Sequence, residues 1–474
     1  MEKQSKSNDL VSKANSGLRT ECLSFTEVIA QSIANIAPSA TPAFTIPLVF
    51  ALSGNGSWLT YVFATIAIAL VGHHINQFAK RSSSPGALYT YVGEGLGGRA
   101  GFISGWALIL GYVLTGTATL AAFSSFLNTI GEYFGITIPS VLAIIIGIIL
   151  AWFVVSRDVK ISAKLMLVLE GISLTLIFIL GAIVVVQSGF KLDMTQLSLE
   201  GVSFDSLRLG LVLAFFSFVG FESATSLGHE AKNPLKNIPK SVITSAVFVG
   251  FIFVLFSYIE VLGFIGSETS LGETAAPLSY LADKTGFGFM GFIISIGATV
   301  SFWSCTVACI TASARVILTM SQDNIISSTL GKTHSKHKTP YVSINLLAIV
   351  SLVIPVILSL CGIDTMEIFS WLGTIATLGF LFSYAMIVIS APVYLAKINQ
   401  LKKSNMILSA ITMAILLIPI IGSVYPLPAY PFNIFPFIFL AWIVIGGIWY
   451  EFSNATQSSL SKELDKDAVV NIRN

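Results

Sequence analysis

Two carboxylates stand inside long apolar stretches of this 474-residue chain. Glu170 follows Leu165-Met166-Leu167-Val168-Leu169, and Glu222 follows Phe216-Ser217-Phe218-Val219-Gly220-Phe221. A carboxylate in such surroundings is costly unless protonated, paired or hydrated, so each is a candidate to bind and release a proton. Glu260 is a third acid, expected at the outer end of its stretch and interfacial. Two segments can also hold a polar solute through their backbone. Ala37-Pro38-Ser39-Ala40-Thr41-Pro42 has two prolines four apart, which remove two helix donors. It leaves amide donors at Ser39, Ala40, Thr41, Ala43 and Phe44 for a carboxylate. Around Gly220, carbonyls near Ser217 to Val219 could accept from an amine.

Other chemistry finds little support. Cys305 and Cys309 are four apart, but two thiols without a third ligand make a poor metal site, and no metal is expected. Gly331-Lys332-Thr333 lacks the earlier glycine of a phosphate loop. His73 and His74, with His334 and His337 in a basic loop, read as interfacial. No nucleophile–base pair stands out, so the chain is not read as an enzyme, and no cofactor is called for.

The elements that must position these groups lie in a bilayer. Hydrophobic residues make up 54% and charged residues 11%, and mean hydropathy is +0.83. Such a chain cannot cover a water-facing surface with charge. A net charge of +2 gives no field for nucleic acid. Four cysteines show no disulfide framework, and a polar opening of about twenty residues does not resemble a cleavable signal.

Twelve stretches are long enough to cross as helices of about 20 residues. They run approximately over 25–53, 57–79, 99–129, 136–156, 159–187, 206–228, 240–264, 286–319, 341–361, 365–396, 405–424 and 431–452. With both termini cytoplasmic, all of the 26 lysines and arginines fall on the inner side except Lys191, Arg208 and Lys284. Asn454-Ala455-Thr456 matches a glycosylation acceptor but falls in the inner tail.

The chain also echoes itself. Pro85-Gly86-Ala87-Leu88-Tyr89, leading to Gly101-Phe102-Ile103-Ser104, returns as Pro277-Leu278-Ser279-Tyr280, leading to Gly291-Phe292-Ile293-Ile294-Ser295. The copies fall on opposite sides of the membrane, as an odd number of spans per unit requires. Inverted repeats of five spans with paired broken helices are a transporter signature.

The segments Phe218-Val219-Gly220-Phe221-Glu222-Ser223-Ala224, Glu230-Ala231-Lys232-Asn233-Pro234 and Asn237-Ile238-Pro239 carry a family likeness. With Ser84-Pro85-Gly86-Ala87-Leu88-Tyr89-Thr90-Tyr91, they resemble the amino acid–polyamine–organocation transporter family through about the first ten spans. The resemblance implies an all-α membrane protein of twelve transmembrane helices, a five-plus-five inverted repeat plus two C-terminal helices. The organisation is then an inner N-terminal tail (1–24), repeat one (25–187), repeat two (206–396), two further spans (405–452) and an inner C-terminal tail (453–474).

The same resemblance implies secondary transport of amino acids or related amines across the cell membrane, by proton symport or exchange. The site would lie between the breaks of spans one and six, with walls from spans three, eight and ten. An aromatic at Phe216 would close over substrate and Trp303 would stack on it, with Phe218 and Phe221 flanking. Glu222 matches an acid tied to proton sensing in exchangers of the family. The usual glycine-rich first break is replaced here by prolines, and Ser173 stands near the position where some members carry a coupling lysine. Tyr112, Thr115, Gly116 and Thr119 on span three, and Ser301, Ser304 and Thr306 on span eight, are further candidates. The alternatives are a polyamine or organic-amine carrier, and a non-transporting nutrient sensor on the same fold.

Overall fold

The computed structural model describes residues 17–471 except positions 158, 275 and 427. Among the described residues, regular structure is helical apart from one isolated parallel bridge between Leu23 and Ala231.

Helix α1 (Phe25–Ile36) starts at a capping box, in which the Ser24 amide donates to Glu27 Oε2 at 2.7 Å. It ends where Ala37 turns left-handed at φ 52°. Neither Pro38 nor Pro42 can donate to a continuing ladder. The chain therefore winds through a π-helical turn at Thr41–Thr45 before α2 (Ile46–Ser53) resumes. A short turn at Gly54–Gly56 leads into α3 (Ser57–Ala79).

Next come α4 (Leu88–Leu96), α5 (Gly98–Glu132), α6 (Ser140–Arg157), α7 (Val159–Gln187) and the one-turn α8 (Met194–Leu197). The second break follows α9 (Phe204–Phe216): the chain turns through Gly220 at φ 82° and passes a 3-10 segment at Ser223–Leu227. A Cβ at Gly220 would overlap the side chain of Asn35, so the position requires glycine for both its φ and its space. Helix α10 (Pro234–Phe264) opens six residues before the expected 240, because Pro234 sits in its first turn where no donor is needed. The remainder is α11 (Pro277–Lys284), α12 (Gly288–Gln322), α13 (Tyr341–Leu360), α14 (Thr365–Lys397), α15 (Lys403–Gly422) and α16 (Phe435–Asn471).

Ten helical runs among the described residues are long and apolar enough to cross a membrane. The expected stretches 25–53 and 57–79 form a single 55-residue run, Phe25–Ala79. The expected 206–228 is a 13-residue helix followed by turns rather than one long helix. Both differences follow from the breaks. The chain is a multi-pass membrane protein.

Burial divides its layers. The most apolar window of α5 is 94% buried and that of α12 83%, against 22% for α15 and 11% for the run Phe432–Ser453. The inner pair therefore packs against protein, and the outer helices turn apolar side chains to lipid. The sequence echo has a structural counterpart. Short α4 feeds the 35-residue α5, and short α11 feeds the 35-residue α12. Gly101 presses on Gly93 of α4 and Gly291 on Ser279 of α11, so each long helix starts against its short partner.

Candidate functional site

The two breaks face each other across a cavity of about 30 Å³. The first contributes Asn35, Ala37, Ala40, Thr41 and Thr45; the second contributes Phe216, Ser217 and Val219. Thr115 and Thr119 of α5, Phe302 and Cys305 of α12, and Phe369 of α14 complete the wall. That volume suits about one water molecule. The walls must part before a larger solute can enter. No charged side chain lines the space.

Of the candidates read from the sequence, Ala40, Thr41, Thr115, Phe216, Ser217 and Val219 meet here, as does Thr119. Others take up different work. The amides of Ala40 and Thr41 both donate to the Ala37 carbonyl, at 3.0 and 3.3 Å. Ser39 turns away from the cavity and donates its amide (2.8 Å) and its hydroxyl (2.7 Å) to Glu170 Oε1 on α7. The expected amide cradle is thus largely engaged within the protein. Ala43 is buried outside the wall. Phe44 packs edge-on against Phe369, Phe218 against Phe253 and Phe221 against Tyr384.

Trp303 does not line the cavity. Its indole donates to the Gly147 carbonyl of α6 at 3.0 Å, and its neighbour Phe302 faces the site instead. One residue is about 100° of helix rotation, enough to exchange wall for packing.

Behind the second break, Glu222 is fully buried. Its Oε1 accepts from Tyr112 of α5 at 2.7 Å, and its Oε2 from Tyr384 of α14 at 2.6 Å. The Gly220 amide points at the same Tyr384 hydroxyl, 3.4 Å away. Tyr112 is therefore a partner of Glu222 rather than a wall. Glu170 keeps Oε2 without a hydrogen bond among the described residues. Glu260, expected at the interface, is instead completely buried, with neither carboxylate oxygen hydrogen-bonded among the described residues. It turns inward on α10 although it lies near that helix's end. His74 is likewise buried, with Nε2 3.2 Å from Thr412 Oγ1, while His73 is exposed.

Asn35 braces the site. Its Nδ2 donates to the Gly220 carbonyl (3.4 Å), Cys305 Sγ donates to its backbone carbonyl (3.0 Å), and Cys309 Sγ donates to Oδ1 (2.8 Å). The two thiols tie α12 to the breaks, and no group of three metal-ligating side chains occurs among the described residues.

Toward the start of α14, Phe369 meets Phe44, Phe216 and Phe302 with ring centroids 5.0, 5.4 and 5.7 Å apart. Farther along α12 from Phe302 and outside the cavity lining, Arg315 forms a bidentate pair with Glu230 (2.5 and 2.8 Å), with both side chains buried. Leu23 joins this pair, its amide donating to the Glu230 carbonyl at 2.9 Å. Asn35, Thr45, Phe302, Cys305, Phe369 and Tyr384 escaped the sequence reading as site residues. Asn35 alone offers a signal, as an amide side chain in an apolar helix three residues before Pro38.

A buried cavity between two interrupted helices inside a multi-pass bundle is the arrangement in which membrane carriers hold a solute. The amino acid permease model matches residues 27–457, and the chain belongs to that family. It is similar to the branched-chain amino acid permease BcaP of Bacillus subtilis, at 26% identity over 61% of this chain and 65% of that protein. It is also similar to the methylthioribose transporter of Bacillus subtilis, at 25% over 89% and 91%. Cationic amino acid transporter 4 of Mus musculus shares 23% over 72% and 55%. The match thus spans just under two thirds of the branched-chain permease and most of the methylthioribose transporter.

Proposed function

We propose that the protein carries amino acids across the cell membrane by secondary active transport, with substrate bound between the two breaks. The carrying observation is the convergence of both breaks with α5, α12 and α14 on one uncharged cavity. Its phenylalanine, valine, alanine and threonine lining favours neutral, apolar side chains over cationic ones, since a charged substrate would be desolvated without a partner. Phe216 and Phe369 close over the solute from one side, and rocking of the two halves alternates access.

The family and the paired short-long helices support twelve crossings, with Phe25–Ala79 and the broken segment from Phe204 to Leu227 each supplying what ten continuous runs lack. In this reading the chain is a five-plus-five inverted repeat (25–187 and 206–396) with two further helices (405–452), and both tails are cytoplasmic. Protons are the coupling ion, or the carrier exchanges solutes. Glu222 and Glu170 are the proton-binding candidates, because each is buried and contacts a break.

The methylthioribose relative favours a second reading. That solute has neither carboxylate nor amine, which agrees with a first break whose Ser39, Ala40 and Thr41 amides are already engaged. Proteoliposome uptake decides. Labelled leucine, valine, arginine and methylthioribose are offered with and without an inward proton gradient and a protonophore. Gradient-driven leucine or valine uptake supports the first reading. Uptake of methylthioribose alone would replace it, and uptake only into preloaded vesicles would mean exchange.

A further inference from the structure

Glu260 takes no part in the site described so far. It is completely buried four residues before the end of α10 at Phe264. No donor among the described residues reaches either carboxylate oxygen, and none of their ion pairs includes it. A carboxyl left unpaired in apolar surroundings is tolerated only with a proton or with water.

Helices α3 and α10 run antiparallel: a Cβ on Gly72 would meet Val242 and Ile243, and one on Gly250 would meet Thr65. Toward the Phe264 end, this register packs the ring of Tyr61 5.5 Å from that of Phe253. Glu260 lies seven residues beyond Phe253, two turns farther along the same face. Tyr61 leans that way, because helical side chains point back toward the start of their helix. Its hydroxyl is within electrostatic reach of the Glu260 carboxyl.

The remaining titratable groups on α10 and its packing partners are engaged, exposed or distant. Lys284 of α11 donates to the Gly263 and Ile265 carbonyls and to Ser267 Oγ. Tyr280 stacks on Phe264, and the Tyr258 hydroxyl accepts from the Asp193 amide. Asp283 and Glu273 are exposed, and Glu170 of α7 is taken by Ser39. Glu27 of α1, His73 and His74 of α3, Lys164 of α7, and Lys236 and Lys240 stand toward the opposite end of α10.

Tyr61 also leads to the cavity. Its hydroxyl is 3.1 Å from Ser217 Oγ, and Ser217 lines the wall at the second break. We propose that Glu260 is a further proton-binding site, which holds a proton while the cavity is closed and exchanges it with water when a solute engages Ser217. Tyr61 is the positioning residue between them. Its hydroxyl can serve Ser217 or turn to the carboxyl, so occupying Ser217 changes what Glu260 has to bond. The inference rests on the reading that solute binds between the two breaks.

The first arm of the test takes infrared spectra of the full chain in phosphatidylcholine vesicles at neutral pH. The band of a protonated carboxylic acid is expected in the unaltered protein and should be weaker in Glu260→Gln. Identical bands would mean an ionised Glu260 and overturn the proposal. Tyr61→Phe keeps the acid and should shift that band. The second arm titrates leucine calorimetrically in two buffers of different ionisation heat, which gives the protons exchanged per leucine bound. Glu260→Gln and Tyr61→Phe should each bring that number closer to zero. No exchange in the unaltered protein, or the same number in all three proteins, would overturn the link to the cavity. A change in Glu260→Gln alone would remove Tyr61 from the path. If leucine gives no heat with folded protein, the leucine reading fails rather than this one, and methylthioribose replaces it in the titration. If Glu260→Gln does not fold, Tyr61→Phe decides both arms, and an unmoved band with an unchanged number would overturn the proposal.

Discussion

Ser39 gives both its backbone amide and its hydroxyl to a single oxygen of Glu170, 131 residues away. A buried acid on α7 thereby holds the broken backbone that follows α1, and the second oxygen of that acid has no hydrogen bond among the described residues.

Removing either partner should be felt in stability. Glu170→Ala leaves a buried amide and hydroxyl unpaired, a cost of about 1–3 kcal/mol for each group. Ser39→Ala removes one of two donors and should cost less. In a double-mutant cycle on detergent-solubilised protein, thermal unfolding should give a coupling of about 1–3 kcal/mol. Additive losses would mean that the contact does not carry the break.

The tyrosine pair on Glu222 can be tested directly. Both hydroxyls donate to the carboxylate and tie α5 and α14 to the second break. Tyr112→Phe or Tyr384→Phe withdraws one donor, worth about 1.5–3 kcal/mol if the acceptor is charged. Uptake should fall in either variant, and its pH profile should differ from that of the unaltered protein. Glu222→Gln should flatten that profile. A profile unchanged in all three variants would remove Glu222 from coupling.

Cys305 offers a direct probe of the cavity. It lines the wall, whereas Cys361 is exposed and Cys22 partly so. In a Cys22→Ser, Cys361→Ser background, a small thiol reagent should inhibit uptake, and saturating substrate should slow inhibition about tenfold or more. Cys305→Ser should abolish the effect. Inhibition indifferent to substrate would argue that the solute binds elsewhere.

Gly220→Ala tests the crossing of the two breaks. The new methyl would enter Asn35 at a left-handed position, where strain costs about 1–3 kcal/mol before any displacement of the brace. Uptake should fall at least tenfold with the protein still inserted, and Asn35→Ala should partly relieve the defect. Wild-type rates in Gly220→Ala would refute the brace.

Much of the architecture was legible because it rests on patterns that act locally. The long apolar runs, the prolines at 38 and 42 and the glycine at 220 each dictate helix or interruption without help from distant residues. The wall of the site was less legible, because it depends on rotation about helices that are apolar on every side. Phe302 and Trp303 illustrate this: both are aromatic and adjacent, and only packing against Gly147 separates their roles. The donor count at the first break failed for another reason. Counting amides between the prolines leaves Ser39 open to a ligand, but an acid remote in sequence is its partner. Glu260 was placed by its distance from a helix end, which carries no information about which way the side chain points.

The pair between Glu230 and Arg315 bears on how the carrier moves. Two ions withdrawn from water gain much of their attraction at the expense of lost hydration, so a buried pair is a weaker net tie than its short contacts suggest. When water reaches that end of the protein, rehydration of both ions compensates for their parting. If the proposed rocking parts this pair, entry of solvent belongs to the opening itself rather than to its aftermath.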